Sequence, residues 1–373
     1  MAARISCIKY ERKFGCSIFF YYLCIRFKTH CTMKKLDSRT YLYIALAGMV
    51  LILVLAVTYM LTPVSKAEQT QYVYVDEDDT QDSVIAKVGT FSHTAGMTGL
   101  SMLIRHSNYA EHIRTGRYAI EPSEGAFTVF RHLKNGRQTS MMLTIPEVRT
   151  MDRLAAMLSR KLMLDSATIA TALYDQETCQ QLGYDTCTIA AMFVPNTYDI
   201  YWNVPLKKLL QRMQREHDRF WQGDREQKAA QMQLTPNEVC TLASIIDEET
   251  ANNQEKPMIA GMYLNRLHKP MPLQADPTIK FALKQFELKR IYNKLLDVKS
   301  PYNTYRNEGL PPGPIKIASV KGIDAVLNYV HHDYLYMCAK EDFSGTHNFA
   351  RTYQEHLKNA ARYTKALNER GIE

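Results

Sequence analysis

The chain has 373 residues, 46% of them hydrophobic, which is enough for two or three folded units with cores of their own. The net charge is +8, but residues 1–40 hold nine Lys or Arg residues and only two acids, so the remainder is close to neutral. A nucleic-acid-binding protein would carry its basic charge on the folded part, so this distribution argues against nucleic-acid binding. The eight cysteines form no CxxC pair and no Cys/His spacing typical of zinc, so no metal site is predicted.

The first predicted element is a transmembrane helix, Tyr41–Thr62, whose 22 uncharged residues are long enough to cross a bilayer. Lys34, Lys35 and Arg39 precede it and a run of acids follows it. The positive-inside rule therefore puts residues 1–40 in the cytoplasm, residues 41–62 in the cytoplasmic (inner) membrane and the rest of the chain outside it. A cleaved signal peptide is the alternative, but its apolar region would usually be shorter.

Translation could start at either of two methionines, Met1 or Met33. From Met33 the sequence resembles an ordinary start of a single-span protein, which favours residues 1–32 as a misassigned extension. The apolar segment before Met33, Ser17–Ile25, is too short to span a bilayer.

Beyond the membrane segment, residues 63–83 are polar and acidic and are predicted to be a linker. A mixed α/β module is predicted over residues 84–230. Its expected strands are Val84–Val88, Thr90–Ser92, Gly116–Ile120 and Thr139–Pro146, and its expected helices are Met97–His106, Asn108–Ile113, Phe127–Lys134, Met151–Leu162 and Pro205–Gln227. Asn135-Gly136 is a strong signal for the end of a helix. Strand, turn and short helix thus occur twice, a plan that suits either ligand binding or a spacer.

The last unit, residues 231–373, is predicted to open with a helix that starts at a Thr235–Glu238 capping box with Pro236 in the first turn. At about 100° per residue, Glu249 falls on the same stripe as Leu242, Ile245 and Ile246. Asp247 is predicted to point to the opposite side and Glu248 to a flank.

The position of Glu249 has a chemical consequence. A Glu held against aliphatic groups has a raised pKa, because the charged form is disfavoured, and a general acid needs a proton near pH 7. The alternative interpretation is that the Asp-Glu-Glu run is a solvated helix face. Downstream loops rich in amides, hydroxyls and tyrosines suit a sugar polymer, although turn formation would explain the same residues.

Taken together, these segments resemble a known family, the YceG-like endolytic murein transglycosylases (the MltG family). The resemblance rests on Ala243–Thr250, Ile259–Leu267, Leu273–Thr278, Ser300–Tyr305, Gly309–Pro314, Asp333–Tyr336 and Gly345–Phe349, with Phe193–Tyr198 and the single N-terminal span upstream. In the family the catalytic Glu precedes a Thr, which corresponds to Glu249-Thr250 here. Family members often have another Glu two residues earlier. Asp247 stands there in this chain, which favours Glu249 as the acid.

The resemblance implies a fold and an activity. It implies an α+β chain with one N-terminal transmembrane helix, a LysM-like α/β module and a mostly helical, loop-rich YceG-like catalytic domain. Family members cleave MurNAc–GlcNAc bonds within peptidoglycan strands and leave 1,6-anhydro-MurNAc ends. The expected partners are therefore peptidoglycan, cell-wall synthases and the inner membrane, without nucleic acid.

The hypothetical mechanism needs one carboxylate and neither metal nor cofactor, because the muramoyl C6 hydroxyl is tethered next to the C1 that it attacks. Glu249 is the predicted catalytic acid. The predicted substrate-binding residues are Gln274, Asp276, Thr278, Asn303 and Tyr305, and capping of the following helix is an alternative role for Asp276. A noncatalytic wall-binding scaffold and a hydrolase are the competing functions. Cys179 and Cys187 are left open as either a disulfide or two free thiols.

Overall fold

A computed structural model describes residues 37–288 and 290–371. Its first element is helix α1, Ser38–Leu61, none of whose 24 residues is buried. The helix is long and apolar enough to cross a membrane, as the prediction for Tyr41–Thr62 requires. The predictions about Met1, Met33 and the basic N-terminal stretch concern residues outside the described part of the chain.

The segment after α1 folds into a first unit with the order strand, helix, helix, strand. It consists of β1 (Gln71–Val75), α2 (Gln81–Gly89), α3 (Thr94–Arg105) and β2 (Gly116–Ile120), followed by α4 (Ala126–Asn135). β1 and β2 pair antiparallel, with Gln71 opposite Ile120. The helix after β2 ends as predicted at Gly136, whose φ of 66° is in the left-handed region.

Four predictions for this region are wrong. Thr90–Ser92 is not a strand but a turn after α2, with one isolated bridge between Ser92 and Ser65. Residues 63–83 are not a linker, since they contain β1 and the start of α2, and Val73 and Val75 are buried. Val84–Val88 is helical, not a strand, because a Thr80–Ser83 capping box starts α2 and places both valines on its buried face. Of Asn108–Ile113, only Asn108–Glu111 is helical, as a short 3₁₀ helix.

A second unit has a similar plan, with three helices instead of two between its paired strands. It consists of β3 (Met141–Thr144), α5 (Met151–Ser159), α6 (Ser166–Tyr174), α7 (Gln176–Gln181) and β4 (Thr197–Ile200). β3 and β4 pair antiparallel, with Met141 opposite Ile200. The predicted duplication is therefore present, but the copies begin at β1 and β3. Within this unit Cys179 and Cys187 are free thiols.

The predicted helix Pro205–Gln227 is in fact two, α8 (Leu206–Trp221) and α9 (Asp224–Gln231), because Gly223 adopts a φ of 82° between them. Helix α8 packs into the core of the second unit through Leu209, Leu210 and Met213, and the third unit, which follows it, is mostly helical. The remaining elements are α10 (Pro236–Glu249), α11 (Lys256–His268), α12 (Asp276–Leu283), α13 (Val320–Leu327), β5 (Tyr336–Ala339), β6 (His347–Ala350) and α14 (Tyr353–Glu369). β5 and β6 form an antiparallel hairpin. The chain is thus mixed helix and sheet and mostly helical.

Each unit has its own hydrophobic core. Helix α10 lies inside the third core, where every residue from Val239 to Ile246 is buried. The second and third units meet at Ile317, which packs in the second core and whose N–H donates to the Val148 carbonyl at 2.9 Å.

Candidate active site

Helix α10 presents Glu249 as its last residue. The predicted capping box is present, with Glu238 accepting from the Thr235 N–H at 2.7 Å, and the helix ends because Thr250 is extended. The prediction of a single apolar stripe is too simple, since the helix is buried on all sides from Val239 to Ile246. Its polar residues fit there because Thr241 and Ser244 donate their hydroxyls to carbonyls of the same helix at 2.7 Å.

The three consecutive acids of α10 have three different environments. The Asp247 side chain is 2% exposed and bonds Lys256 at 2.7 Å and the Ser319 hydroxyl at 2.8 Å. The Glu248 side chain is 15% exposed and accepts two parallel bonds from Arg149. Neither acid lies on a solvated face, so the alternative interpretation of the run is wrong for both.

Glu249 instead faces a pocket of about 360 Å³. The Tyr263 hydroxyl donates to Glu249 Oε1 at 2.6 Å. Burial, assisted by the charge of Asp276, raises the pKa of Glu249 to about 7, against the opposing effects of the Tyr263 bond, His347 and Lys280. Burial and the neighbouring Glu249 hold the pKa of Tyr263 well above its ordinary value, so Tyr263 remains a hydrogen-bond donor. A carboxyl group with this pKa can both give and take a proton near neutral pH.

Three of the five predicted substrate-binding residues line this pocket, namely Gln274, Asp276 and Tyr305. The Tyr305 hydroxyl donates to Asp276 Oδ1 at 2.6 Å. The alternative role of Asp276 as a helix cap is wrong, because α12 has no side-chain cap. Gln274 has a φ of 51°, which is strained for a residue other than glycine and is often found at functional sites.

The structure does not bring the other two, Thr278 and Asn303, to the pocket. Both side chains are fully buried. The Thr278 hydroxyl bonds the Ala275 carbonyl at 2.7 Å, and the Asn303 amide donates to two loop carbonyls at 2.8 Å each. Their polar atoms hold the loops that carry Gln274 and Tyr305, and are not free to bind a sugar.

One wall of the pocket was not assigned from the sequence. It is formed by the β5–β6 hairpin and α14, through Tyr336, His347, Tyr353 and His356. The rings of Tyr336 and His356 stack with centroids 5.5 Å apart. The buried Glu255 holds His347 by accepting its backbone N–H at 2.6 Å and contacting its Nδ1 at 3.0 Å.

Helix α11 supplies the residues between this wall and Glu249. Tyr263 and Arg266 are three positions apart and therefore face the same side, a spacing that could have indicated them from the sequence. The Arg266 guanidinium is buried and donates to the carbonyls of Leu273 at 2.7 Å and Leu335 at 2.6 Å. It thereby ties the segment before Gln274 to the hairpin.

Similarity to known proteins extends over most of the chain. A family model described as the YceG-like family matches residues 73–362, more than three quarters of the chain. The chain is 39% identical over 137 residues to an endolytic murein transglycosylase of Bacillus subtilis, a match that covers 37% of each chain. It is 26% identical over 344 residues to the endolytic murein transglycosylase of Streptococcus pneumoniae D39, covering 83% of this chain and 62% of that one.

A crystal structure of a YceG-like protein from Listeria monocytogenes has a similar fold. The TM-score is 0.53 at 24% identity, and the match covers 78% of this chain and 99% of that one. The chain spans less than two thirds of the length of the curated relatives that it matches.

Proposed function

This chain belongs to the YceG-like family, and we propose that it is an endolytic lytic transglycosylase that cleaves MurNAc–GlcNAc bonds within peptidoglycan strands. The observation that carries the proposal is the buried carboxyl group of Glu249, whose pKa is about 7, in a pocket whose other side has aromatic faces. The relatives named endolytic murein transglycosylase supply the substrate class.

In the proposed reaction, protonated Glu249 gives its proton to the glycosidic oxygen while the bond from that oxygen to the muramoyl C1 breaks. The C6 hydroxyl of the same sugar forms the new bond to C1. Its proton passes to the Glu249 carboxylate, which restores the acid, and no water is consumed. One carboxyl group suffices because the nucleophile is tethered to the electrophile, unlike in hydrolysis, where two carboxyl groups are needed.

The other pocket residues have roles in binding. Gln274, Asp276 and Tyr305 offer amide, carboxylate and hydroxyl groups to sugar hydroxyls, and Tyr336 and His356 offer ring faces. Tyr263 fixes the orientation of the Glu249 carboxyl group by its hydrogen bond.

The proposal includes the site of action. Helix α1 anchors the protein in the cytoplasmic membrane, with the pocket on the outer side, where peptidoglycan is assembled. The strand–helix–helix–strand order of the first unit supports a LysM-like module there. Cell-wall synthases are the proposed partners, and cleavage would terminate the growth of nascent strands.

The test is to digest purified sacculi with the Glu249→Gln variant and to analyse the products by mass spectrometry. Glutamine keeps the shape and removes the titrating proton, so we expect a folded protein that releases no 1,6-anhydro-muropeptides. Glu226→Gln, the same change at an exposed position of α9, is the matched control and should retain activity.

Three results separate the competing functions. Full activity of Glu249→Gln would remove Glu249 from catalysis. Products with reducing ends in place of anhydro ends would identify a hydrolase. Binding of sacculi without any cleavage by the parent protein would identify a noncatalytic scaffold.

A further inference from the structure

The junction between helix α1 and the first unit is packed, not free. Val64 is fully buried, its N–H donates to the Glu124 carbonyl at 2.9 Å, and its own carbonyl accepts from the His93 N–H at 2.8 Å. Pro63 and Ser65 form isolated β-bridges with Gly125 and Ser92. The first unit is therefore held directly against the end of α1.

Helix α3 runs back along α1 from this junction. Gly96 packs on the carbonyl of Pro63, and Gly99 packs on the carbonyl of Tyr59, so closely that a Cβ at either position would collide with that oxygen. Three residues forward on α3 thus correspond to four residues backward on α1, which means that the two helices are antiparallel. Extended by one more turn of each helix, this register brings Met102 near the level of Leu55.

The length of α1 indicates how deep Leu55 and Met102 lie relative to the membrane. Its 24 residues span about 36 Å at 1.5 Å per residue, roughly one turn more than the ~30 Å hydrocarbon core. With Arg39 at the cytoplasmic interface, the final turn that contains Tyr59 lies in the outer interfacial layer. Leu55, and with it Met102, is then within about one turn, ~5.4 Å, of the outer edge of the hydrocarbon.

Two large apolar side chains are exposed at these levels. Met102 on α3 is 56% exposed and Phe127 on α4 is 46% exposed. Phe127 directly follows Ala126, which packs against Gly99 beside Tyr59. The guanidinium of Arg131 lies 5.9 Å from the centre of the Phe127 ring. An aromatic ring and a long apolar side chain next to a cation are typical of the interface between lipid and water.

We propose that Met102 and Phe127 form a lipid-contacting surface by which the first unit lies in the outer interfacial layer of the membrane that α1 crosses. The inference rests on the anchoring part of the proposed function and is independent of the chemistry at Glu249. The occupant is lipid because the surface continues from the packed end of α1. The first unit, and not α1 alone, then sets how the folded part sits on the membrane.

The test uses the full chain in lipid nanodiscs with one added tryptophan at a time. Lipids brominated along the acyl chains quench nearby indoles, and the parent protein, with Trp202 and Trp221, gives the background. The test variants are Met102→Trp and Phe127→Trp. Leu53→Trp, in the middle of α1, reports anchoring, and Met142→Trp, 65% exposed on β3, is the matched control away from α1.

We expect the added emission of Leu53→Trp, Met102→Trp and Phe127→Trp to be largely lost in brominated nanodiscs and that of Met142→Trp to persist. The proposed lipid contact would be overturned if Leu53→Trp were quenched while Met102→Trp and Phe127→Trp kept their emission, as Met142→Trp does. The membrane anchor and the proposed enzymatic activity would be unaffected by that result. The added emission of Met102→Trp and Phe127→Trp could instead be shielded from a soluble quencher but unaffected by brominated lipid. Protein would then cover the proposed lipid-contacting surface, and the inference would be wrong. No quenching at Leu53→Trp would overturn the anchor and the surface together, while release of anhydro-muropeptides would still test Glu249.

Discussion

Burial is the main cause of the raised pKa of Glu249, and neighbouring side chains either oppose or add to its effect. Burial raises it to about 7, the hydrogen bond from Tyr263 lowers it, and the charge of Asp276 raises it. The first step of the proposed reaction needs the protonated form, so kcat should fall as the pH rises through the pKa of Glu249 in the substrate complex. The falling limb of the pH profile therefore reports on these neighbours.

We predict that Tyr263→Phe moves the falling limb of kcat to higher pH. The lost bond favoured the carboxylate, and a hydrogen bond to a charged group of about 1.5 kcal/mol corresponds to roughly one pH unit. Asp276→Asn should move the limb the other way, because it removes a negative charge that favours the protonated form. The measurement is kcat against pH for both variants. Limbs that stay in place, or move in the same direction, would contradict this account of the site.

At the scale of elements, the sequence predicted helix ends better than helix interiors. The Thr235–Glu238 capping box and the Asn135-Gly136 stop were found because each is a local hydrogen-bonding pattern. Val84–Val88 was mistaken for a strand because β-branched residues favour strands, whereas the Thr80–Ser83 capping box decides for a helix. Strand β1 was missed because its alternating valines lie within an acidic stretch.

The sequence predicted only those pocket residues that lie in the segments soon after Glu249 along the chain. Gln274 and Tyr305 lie in loops and Asp276 begins α12, all close to Glu249 in the fold, and their polar types indicated the site. Thr278 and Asn303 have the same polar character in the same segments, but their side chains turn inward to bond backbone carbonyls. The sequence pattern does not distinguish the two orientations. The hairpin wall comes from residues almost a hundred positions after Glu249, and only the tertiary fold brings it there.

A buried side chain at the start of α11, Glu255, helps to hold the β5–β6 hairpin. Glu255 accepts the His347 N–H at 2.6 Å, so Glu255→Ala would leave that N–H without its partner, at a cost of about 1–3 kcal/mol. We predict a larger rise in KM than fall in kcat, since the hairpin lines the binding pocket while Glu249 stays on α10. Hydrogen exchange of Tyr336–Ala350 should accelerate as well. Glu226→Ala is the control, and unchanged exchange in the hairpin would show that Glu255 does not hold it.

At the scale of the whole molecule, polar contacts link the three units in series. The Asn203 amide of the second unit donates to the Thr115 carbonyl of the first at 2.9 Å. Arg149, in the loop between β3 and α5, bonds Glu248 of the third unit. Because Glu248 directly precedes Glu249, the second unit contacts the very turn that carries the proposed acid. The series therefore connects the membrane helix to the pocket through packed contacts.

We predict that Arg149→Gln lowers kcat and lowers the free energy of unfolding by about 1 kcal/mol. The estimate is modest because the Arg149 side chain is 39% exposed and solvent screens the pair. Arg153→Gln, an exposed change on neighbouring α5, should alter neither quantity.

The decisive measurement is a double-mutant cycle on kcat with Glu248→Gln. If Arg149 acts through Glu248, the double variant should lose no more activity than the worse single variant, because the second change removes a partner already lost. Additive losses would mean that the second unit does not position Glu249 through this contact.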